Sequence, residues 1–187
     1  MQKKVFTVGI AGGTASGKST LCQNLENALK DYKLFVIHMD NYFKAEKDRP
    51  HTKAFVSQIV YDDHNHPETM DLPKLNKDLE EILRKNEHEI IIVEGLLTLW
   101  DDNIYDKLDL KIFVDCKADE RIVRRLKRNM QWGLKFDEIA NVYLDMVRYR
   151  HEEYVEPCKW RADIIINGSN PTDVSFEVLT GYIKSKI

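Results

Sequence analysis

A glycine-rich turn near the start of the chain constrains the fold more than any other feature of the sequence. Two glycines separated by four residues are followed by lysine and serine, in the run Gly12-Gly13-Thr14-Ala15-Ser16-Gly17-Lys18-Ser19. This order matches the P-loop, or Walker A, pattern for binding nucleotide phosphates. An apolar run at Val5–Ala11 precedes it, and Lys18–Lys30 follows with leucines at helical spacing. Because the pattern requires a strand before the loop and a helix after it, the sequence predicts a phosphate-binding site here.

Each residue type in this run has its own role in binding a phosphate group. Glycines let the backbone approach the phosphate oxygens, so that several N–H groups point at one anion. The beginning of the following helix adds the positive end of its dipole. We expect Lys18 to reach the β- and γ-phosphates and the Ser19 hydroxyl to bind Mg²⁺. A glycine-rich turn without a ligand is the alternative. The predicted ATP-binding residues of this run are Gly12, Gly13, Thr14, Ala15, Ser16, Gly17, Lys18, Ser19 and Thr20.

Apolar runs alternate with helical patterns along the rest of the chain. Strands are predicted at Val5–Ala11, Leu34–Met39, Ile90–Val93, Asp109–Asp115 and Asp163–Ile166. Helices are predicted at Lys18–Lys30, Pro73–Lys85, Ala118–Met130, Phe136–Tyr154 and Val174–Ile183. The strands are continuously apolar, which is typical of a parallel sheet covered by helices on both faces. Ligands of such sheets bind at the carboxyl ends of the strands.

Length and composition indicate one domain of residues 1–187 and argue against several classes of protein. A chain of 187 residues fits a single domain. The net charge of -3 argues against nucleic acid as a partner, and no apolar stretch is long enough to span a membrane. Cys22, Cys116 and Cys158 lack metal-binding spacing, and we interpret them as reduced thiols of a cytoplasmic protein. The sequence leaves open whether the chain forms a homo-oligomer.

Two carboxylates follow predicted strands at the edge where the P-loop lies. Asp40 comes after the second strand, where it can accept a proton from an attacking hydroxyl group or hold that group in line. Glu94 comes after Ile90–Val93 and resembles the acidic end of a Walker B strand, which orders Mg²⁺ directly or through water. The alternatives are a turn aspartate that caps the next segment and a solvated glutamate at a strand end.

Arginines recur on one face of the helix predicted at Ala118–Met130. They are spaced three or four residues apart, at Arg121, Arg124, Arg125 and Arg128. Their charges repel one another unless an anion joins them. Nucleotide phosphates are such an anion, and an arginine there can stabilise charge in the transition state. The alternative is a solvated helix face neutralised by neighbouring acids.

The segment 41–70 is polar and shows little periodicity. A connection of this length is usually functional or mobile, so we interpret it as the acceptor-site loop. Tyr42 and Phe43 near its start, and Tyr61 within it, can stack on a base or a sugar. Packing in the core or at its rim is an equal alternative for these three rings.

Taken together, these motifs resemble the uridine kinase and phosphoribulokinase family of P-loop kinases. Six segments carry the likeness in the family's order: Gly9–Thr20, His38–Lys44, Asn65–Leu72, Ile90–Leu97, Leu108–Arg128 and Tyr149–Gly168. The resemblance implies the three-layer α/β/α sandwich of P-loop NTPases, with a five-stranded parallel sheet. It also implies ATP and Mg²⁺ as cofactors and a mobile lid, here residues 121–135.

The resemblance further implies roles for individual residues. It implies that Asp40, which matches the acidic residue of the family's Asp-x-[Phe/Tyr]-[Tyr/Phe] motif, is the general base. It places Arg125 and Arg128 near the phosphates and Gly168, in Asn167-Gly168-Ser169, against the adenine. The predicted acceptor-binding residues are Asp40, Tyr42, Phe43, Tyr61 and Asn65.

The chain departs from uridine kinases on the acceptor side. Those enzymes have an aspartate that grips the ribose hydroxyls where this chain has Asn65. They insert a uracil-reading hairpin where only Lys85–Glu89 precedes the third strand here, and their lid arginines are absent from Gln131-Trp132-Gly133-Leu134. The residues around Asp40 and around Tyr149-Arg150 also somewhat resemble the corresponding segments of nicotinamide riboside kinases, which implies that a different nucleoside is possible.

We therefore expect an ATP-dependent kinase that transfers the γ-phosphoryl group to a hydroxyl of a small, nucleoside-like molecule. Its predicted catalytic residues are Lys18, Asp40, Arg125 and Arg128. Two alternatives stay open: a nucleotide-dependent switch with slow ATPase activity, and a kinase of a non-nucleoside alcohol such as a sugar phosphate.

Overall fold

A computed structural model describes residues 5–187, so residues 1–4 of the predicted domain lie outside the described residues. The strands are β1 (Phe6–Gly12), β2 (Leu34–His38), β3 (His51–Lys53), β4 (Val60–Asp62), β5 (Ile90–Glu94), β6 (Leu110–Asp115) and β7 (Ile164–Asn167). The helices are α1 (Lys18–Ala28), α2 (Leu72–Lys85), α3 (Asp102–Tyr105), α4 (Ala118–Gln131), α5 (Phe136–Val142), α6 (Arg148–Arg150) and α7 (Asp173–Lys184).

Five parallel strands form the central sheet in the order β2-β5-β1-β6-β7. The register pairs Phe6 of β1 with Ile90 of β5, and Val8 of β1 with Leu110 of β6. Every residue of β5 is buried, as expected of a strand with helices on both faces. The predicted five-stranded parallel sheet is confirmed, with boundaries that differ from the predicted ones by about one residue, within the usual uncertainty of element ends.

The two faces of the sheet carry separate apolar cores, because successive strand side chains point to opposite faces. On one face, Ile92 packs in a cluster with Leu25 of α1 and Leu179 of α7. On the other face, Ile91 belongs to a cluster that includes Leu75 of α2. Helices therefore cover both faces, which confirms the three-layer sandwich.

The segment 41–70 contains more regular structure than its sequence indicated. Strands β3 and β4 pair as an antiparallel hairpin, with His51 opposite Asp62. Short 3-10 turns at Met39–Tyr42, Glu46–Asp48 and Pro67–Thr69 flank it. The interpretation of this segment as a loop did not include the hairpin, because three-residue strands are too short for an alternating pattern to stand out.

The helix predicted at Phe136–Tyr154 is helical throughout but not uniformly α-helical. Two π-helical turns, Tyr143–Val147 and His151–Val155, lie on either side of α6. A π turn adds a residue to the helical repeat, so neighbouring side chains change direction relative to a regular helix. Neither these turns nor α3 was predicted. In residues 5–187, no helix has the length and apolar character that a membrane span requires.

Candidate active site

The P-loop lies between the end of β1 and the beginning of α1, as predicted. Ala15 (φ 58°) and Gly17 (φ 103°) have left-handed backbone conformations. A left-handed alanine costs on the order of 1–3 kcal/mol, and such strain is concentrated at functional sites. The N–H of Ser16 donates to the carbonyl of Gly13 at 3.1 Å, which closes the turn. Turns of this kind direct successive N–H groups into one concavity that binds anions.

Gly168 allows the end of β7 to lie directly against the P-loop. A Cβ atom at this position would be 2.9 Å from the carbonyl oxygen of Asp115 and closer still to that of Ser16. Any other residue would therefore force two backbone segments apart. This geometry places Gly168, one of the predicted nucleotide-binding residues, beside the loop.

Residues from three strand ends converge on Glu94, which is 5% exposed. The Ser19 hydroxyl donates to Oε1 of Glu94 at 2.9 Å, and Nζ of Lys18 lies 3.8 Å from the same oxygen. Nδ1 of His38, the last residue of β2, lies 3.1 Å from Oε2. The structure thus brings together Lys18, Ser19 and Glu94, which the sequence had predicted as one site.

Arg125 and Arg128 approach the P-loop from α4. Nη1 of Arg125 donates to the Thr14 hydroxyl at 2.9 Å, and Nη2 of Arg128 lies 3.4 Å from the same oxygen. Burial, followed by the charge of Arg128, lowers the pKa of Arg125 to about 10. Arg128 also stacks on Trp132, with its guanidinium carbon 4.9 Å from the ring centroid. Two cations on one hydroxyl group make this part of the loop strongly attractive to an anion.

The four arginines of the predicted stripe divide between three environments. Arg124 donates to the carbonyl of Gly168 at 2.9 Å and pairs with Glu120, so it ties the segment after β7 to α4. Arg121 is 4% exposed and packs against the P-loop. Only Arg125 and Arg128 bond to Thr14. A single shared anion therefore does not explain the whole stripe.

Asp40 lies in the turn directly after β2, and its side chain is exposed. Its charge acts on Arg128. Burial lowers the pKa of that guanidinium group, and the charge of Asp40 raises it. The charge of the carboxylate thus reaches Arg128, which itself contacts Thr14 of the P-loop. This is the position a base needs if an acceptor molecule enters between them.

Two of the predicted acceptor residues lie partly in the core. The Tyr42 hydroxyl donates to Asp78 of α2 at 3.0 Å. Burial, followed by this hydrogen bond, raises the pKa of Tyr42 to about 12. Phe43 packs against the same core cluster and meets the ring of His64 edge-on at 6.1 Å. The hydroxyl of Tyr42 is therefore engaged with α2, and both rings pack at the edge of the core.

The other predicted acceptor residues are held by contacts with the π-helical segment. The Tyr61 hydroxyl donates to Asp145 at 3.2 Å. Asn65 is buried, and its N–H donates to Oδ1 of Asp63 at 3.2 Å. Asp63 is itself fully buried and accepts from Nε of Arg150 at 2.7 Å. The position of Asn65, a predicted acceptor residue, thus depends on an ion pair that the sequence did not reveal.

His64, next to Asn65, is a further side chain in this region; in the sequence the pair His64-Asn65-His66 allows a metal-site interpretation, but no other metal-binding motif lies beside it. Burial and the charge of Arg49 lower its pKa, with a further contribution from Arg125. The ring of His64 therefore lies within electrostatic reach of the arginine that contacts Thr14. Its place beside Asn65 was visible in the sequence, but only as one half of an isolated histidine pair.

A cavity of about 690 Å³ extends from the P-loop to α7. Lys18, Ser19, Thr20 and Gly168 line it, as predicted for nucleotide-binding residues. Apolar side chains at the α7 end and polar or charged side chains at the P-loop end together line it, a combination that suits a ligand with an apolar part and a charged part. The sequence predicted the terminal helix without giving it a role, because no motif marks its inner face. The lining residues not predicted include Leu21, Asn24, Ile166, Thr172, Ser175 and Phe176.

The segment 121–135, predicted as a lid, is helical up to Gln131 and turns at Gly133, which has φ 90°. Trp132 is 68% exposed and Leu134 is 46% exposed. In place of arginines, this turn presents apolar side chains to solvent. Its closure over a ligand stays a prediction.

Comparisons with known proteins agree with this arrangement. The sequence model of the phosphoribulokinase / uridine kinase family matches residues 63–175. A uridine kinase of Clostridium tetani is 36% identical over 210 residues, covering 100% of this chain and 98% of that protein. A Thermus thermophilus structure superposes with a TM-score of 0.55 at 20% identity, covering 98% of both chains. A structure described as a possible uridine kinase from Bacillus stearothermophilus has a TM-score of 0.52 at 20% identity, covering 86% of this chain and 88% of that one. The two structural similarities concern the fold alone.

Proposed function

The chain belongs to the phosphoribulokinase / uridine kinase family, and we propose that it transfers the γ-phosphoryl group of ATP to a hydroxyl of a nucleoside-like acceptor. One observation carries the donor half of this proposal. Arg125 and Arg128 meet on Thr14 of a phosphate-binding loop, and Nε of Arg125 is buried without a hydrogen-bond partner among residues 5–187. A phosphate oxygen supplies the acceptor that this donor lacks.

The residues around the P-loop fit a nucleotide that carries Mg²⁺. The buried hydroxyl of Ser16 also lacks a partner, which suits a site completed by a ligand. Ser19 and Glu94 offer the hydroxyl and carboxylate oxygens that Mg²⁺ prefers. Residues 5–187 contain no cluster of three metal-binding side chains, and Mg²⁺ in such sites usually has one or two protein ligands. When bound, Mg²⁺ neutralises charge on the phosphates.

We assign the remaining steps to the chain's own side chains. Asp40 accepts the proton of the acceptor hydroxyl as its oxygen forms a bond to the γ-phosphorus. The bond from that phosphorus to the bridging oxygen breaks, and ADP leaves with the electron pair. Lys18, Arg125 and Arg128 stabilise the charge on the transferring group. Arg128 and Asp40 interact electrostatically across the space where this transfer would take place.

On the acceptor side, Asn65 and Tyr61 are the proposed contacts to a sugar or base. Asn65 is buried at the end of the segment that Asp63 anchors, which favours a fixed position for its amide. Phe43 and His64 form an aromatic rim next to it. The hydrogen bond of Tyr42 to Asp78 favours a structural role for that residue.

We propose that the whole chain forms one kinase domain, with the acceptor-site loop at 41–70 and the lid at 121–135. The three cysteines are buried and unpaired, which supports a reducing compartment and hence a cytoplasmic enzyme. A single chain contains every residue assigned here.

ADP release with a panel of acceptors tests the proposed function. Purified chain with Mg-ATP should release ADP slowly alone and at least about tenfold faster with one or more nucleosides, since bound acceptor places its hydroxyl beside Asp40. Mass spectrometry of the product should show one added phosphoryl group. Release that no nucleoside accelerates would favour a switch or slow ATPase. Acceleration only by sugar phosphates or other alcohols would identify a non-nucleoside kinase.

A further inference from the structure

Arg121 is a buried cation that packs against the P-loop. Its side chain lies in the first turns of α4, and its Nε donates to the carbonyl of Cys116 at 3.0 Å. Nη1 lies 2.8 Å from the point where a Cβ atom on Gly13 would be. The guanidinium group therefore touches the second residue of the phosphate-binding loop.

This buried charge has no carboxylate partner among residues 5–187. Nη1 of Arg121 is buried without a hydrogen-bond acceptor, and no ion pair within that range includes Arg121. Asp115, the acid that ends β6, pairs instead with Nζ of Lys159 at 2.6 Å. A buried cation without a counter-charge is costly, so a compensating anion is expected nearby.

His151 occupies the other side of the same small space but supplies no such charge. Its Nδ1 lies 3.0 Å from the same point on Gly13 and also lacks a partner. Its Nε2 lies 3.1 Å from Oε2 of Glu156. Burial and the charge of Arg121 lower the pKa of His151 to about 4, so the ring is neutral near pH 7. The charge of Asp115 also acts on His151 and raises its pKa, but that carboxylate is paired with Lys159. Arg121 therefore has no ion-pair partner of its own among residues 5–187.

We propose that Arg121 is an electrostatic positioning residue of the donor site, whose buried charge is balanced by the nucleotide phosphates bound in the P-loop. This inference rests on the proposed function as an ATP-dependent kinase. Arg121 acts through Gly13 without touching the reacting atoms. The space that Arg121 and His151 occupy also gives a reason for glycine at position 13, since any side chain there would displace both.

The test measures nucleotide binding by calorimetry, in constant Mg²⁺, for ATP, ADP and AMP. Arg121→Gln removes the charge and keeps a donor for Cys116, and Arg121→Lys keeps the charge. Lys127→Gln, on an exposed position of the same helix, is the matched control. We expect Arg121→Gln to weaken ATP binding about tenfold, ADP less and AMP least, because the lost attraction scales with phosphate charge. Arg121→Lys should stay within about threefold of wild type for ATP, and Lys127→Gln within about twofold.

An equal loss for all three nucleotides in Arg121→Gln would overturn the inference, because a structural defect does not follow ligand charge. So would unchanged ATP binding, or an Arg121→Lys variant as weak as Arg121→Gln. If Arg121→Gln does not fold, Arg121→Lys alone decides, and a loss beyond about tenfold contradicts the proposal. Wild-type protein that binds no ATP would instead refute the proposed function, so the two failures are distinguishable.

Discussion

The donor and acceptor sides of this site are built in different ways. On the donor side, a run of eight residues supplies most of the proposed phosphate-binding groups, and contacts of Lys18 and Ser19 with Glu94 join it to β5. On the acceptor side, the position of Asn65 depends on Asp63 and Arg150, which are 87 residues apart in the chain. A local motif thus positions the proposed phosphate-binding groups, while long-range contacts shape the proposed acceptor site.

This difference predicts that the proposed donor and acceptor sides can change independently of each other. Changes in the tertiary contacts of 41–70 can alter the acceptor site without disturbing the P-loop, since the two share few side chains. The helical segment after Val142 touches both sides, because Arg150 bonds to Asp63 while the neighbouring His151 packs at Gly13. If the two sides are separate in this way, a substitution on one side should change the kinetics for ATP or for the acceptor, but not for both.

The largest effect is expected at Asp40, where the two sides meet. Asp40→Asn should lower kcat by about 10²–10⁴, because the amide cannot take the proton of the acceptor hydroxyl. The affinity for Mg-ATP should stay within about twofold, measured by calorimetry. Asp31→Asn, at an exposed aspartate after α1, is the control and should leave kcat unchanged. Full turnover by Asp40→Asn would remove Asp40 from the role of base.

A loss of about 10²–10³ in kcat is expected from Arg125→Met, since the transferring group loses a preorganised positive charge. The measurement is steady-state kinetics at saturating ATP and acceptor. Lys127→Met removes a charge two residues further along the same helix, at an exposed position, and should change kcat by less than about twofold. Comparable losses in both variants would show that the net charge of α4 matters, and not the contact with Thr14.

Asp63→Asn should act on the acceptor side and spare the donor side. Breaking the buried pair with Arg150 should lower the free energy of unfolding by about 3 kcal/mol. The KM for the acceptor should rise about tenfold as Asn65 loses its fixed position. The KM for ATP should stay within about twofold. Glu153→Gln removes the half-exposed partner of the same arginine and should cost less than about 1 kcal/mol. An equal rise in both KM values would contradict the separation of the two sides.

The smallest effect is expected from Tyr42→Phe. This change removes the hydrogen bond to Asp78 and should cost about 1 kcal/mol of stability while leaving both KM values within about twofold. Tyr61→Phe is the informative partner, because Tyr61 lies on the hairpin and bonds to Asp145. An acceptor KM that rises more in Tyr42→Phe than in Tyr61→Phe would place Tyr42 in the site.

Much of the donor side could be predicted from sequence because its geometry is local. The spacing of Gly12, Gly17, Lys18 and Ser19 determines which backbone groups meet a phosphate, and strand ends in a parallel sheet lie at a common edge. The contact between Ser19 and Glu94 follows from those two facts. The sheet itself was predictable because its strands are continuous apolar runs.

The rest depends on contacts that no local pattern encodes. Helical spacing placed Arg121 and Arg125 on one face, but it could not show that one is buried against Gly13 and the other reaches Thr14. The hairpin of β3 and β4 was missed because its strands are short. The pairing of Asp63 with Arg150 joins distant segments, and single-sequence reasoning has no signal for such a pair.

Calorimetric titration of the wild-type chain with ATP, with and without Mg²⁺, tests the central claim most directly. We expect one nucleotide per chain, and binding about tenfold tighter with Mg²⁺, because Ser19 and Glu94 lie together at the phosphates' end of the loop. A folded chain that takes up no nucleotide under either condition would contradict the account.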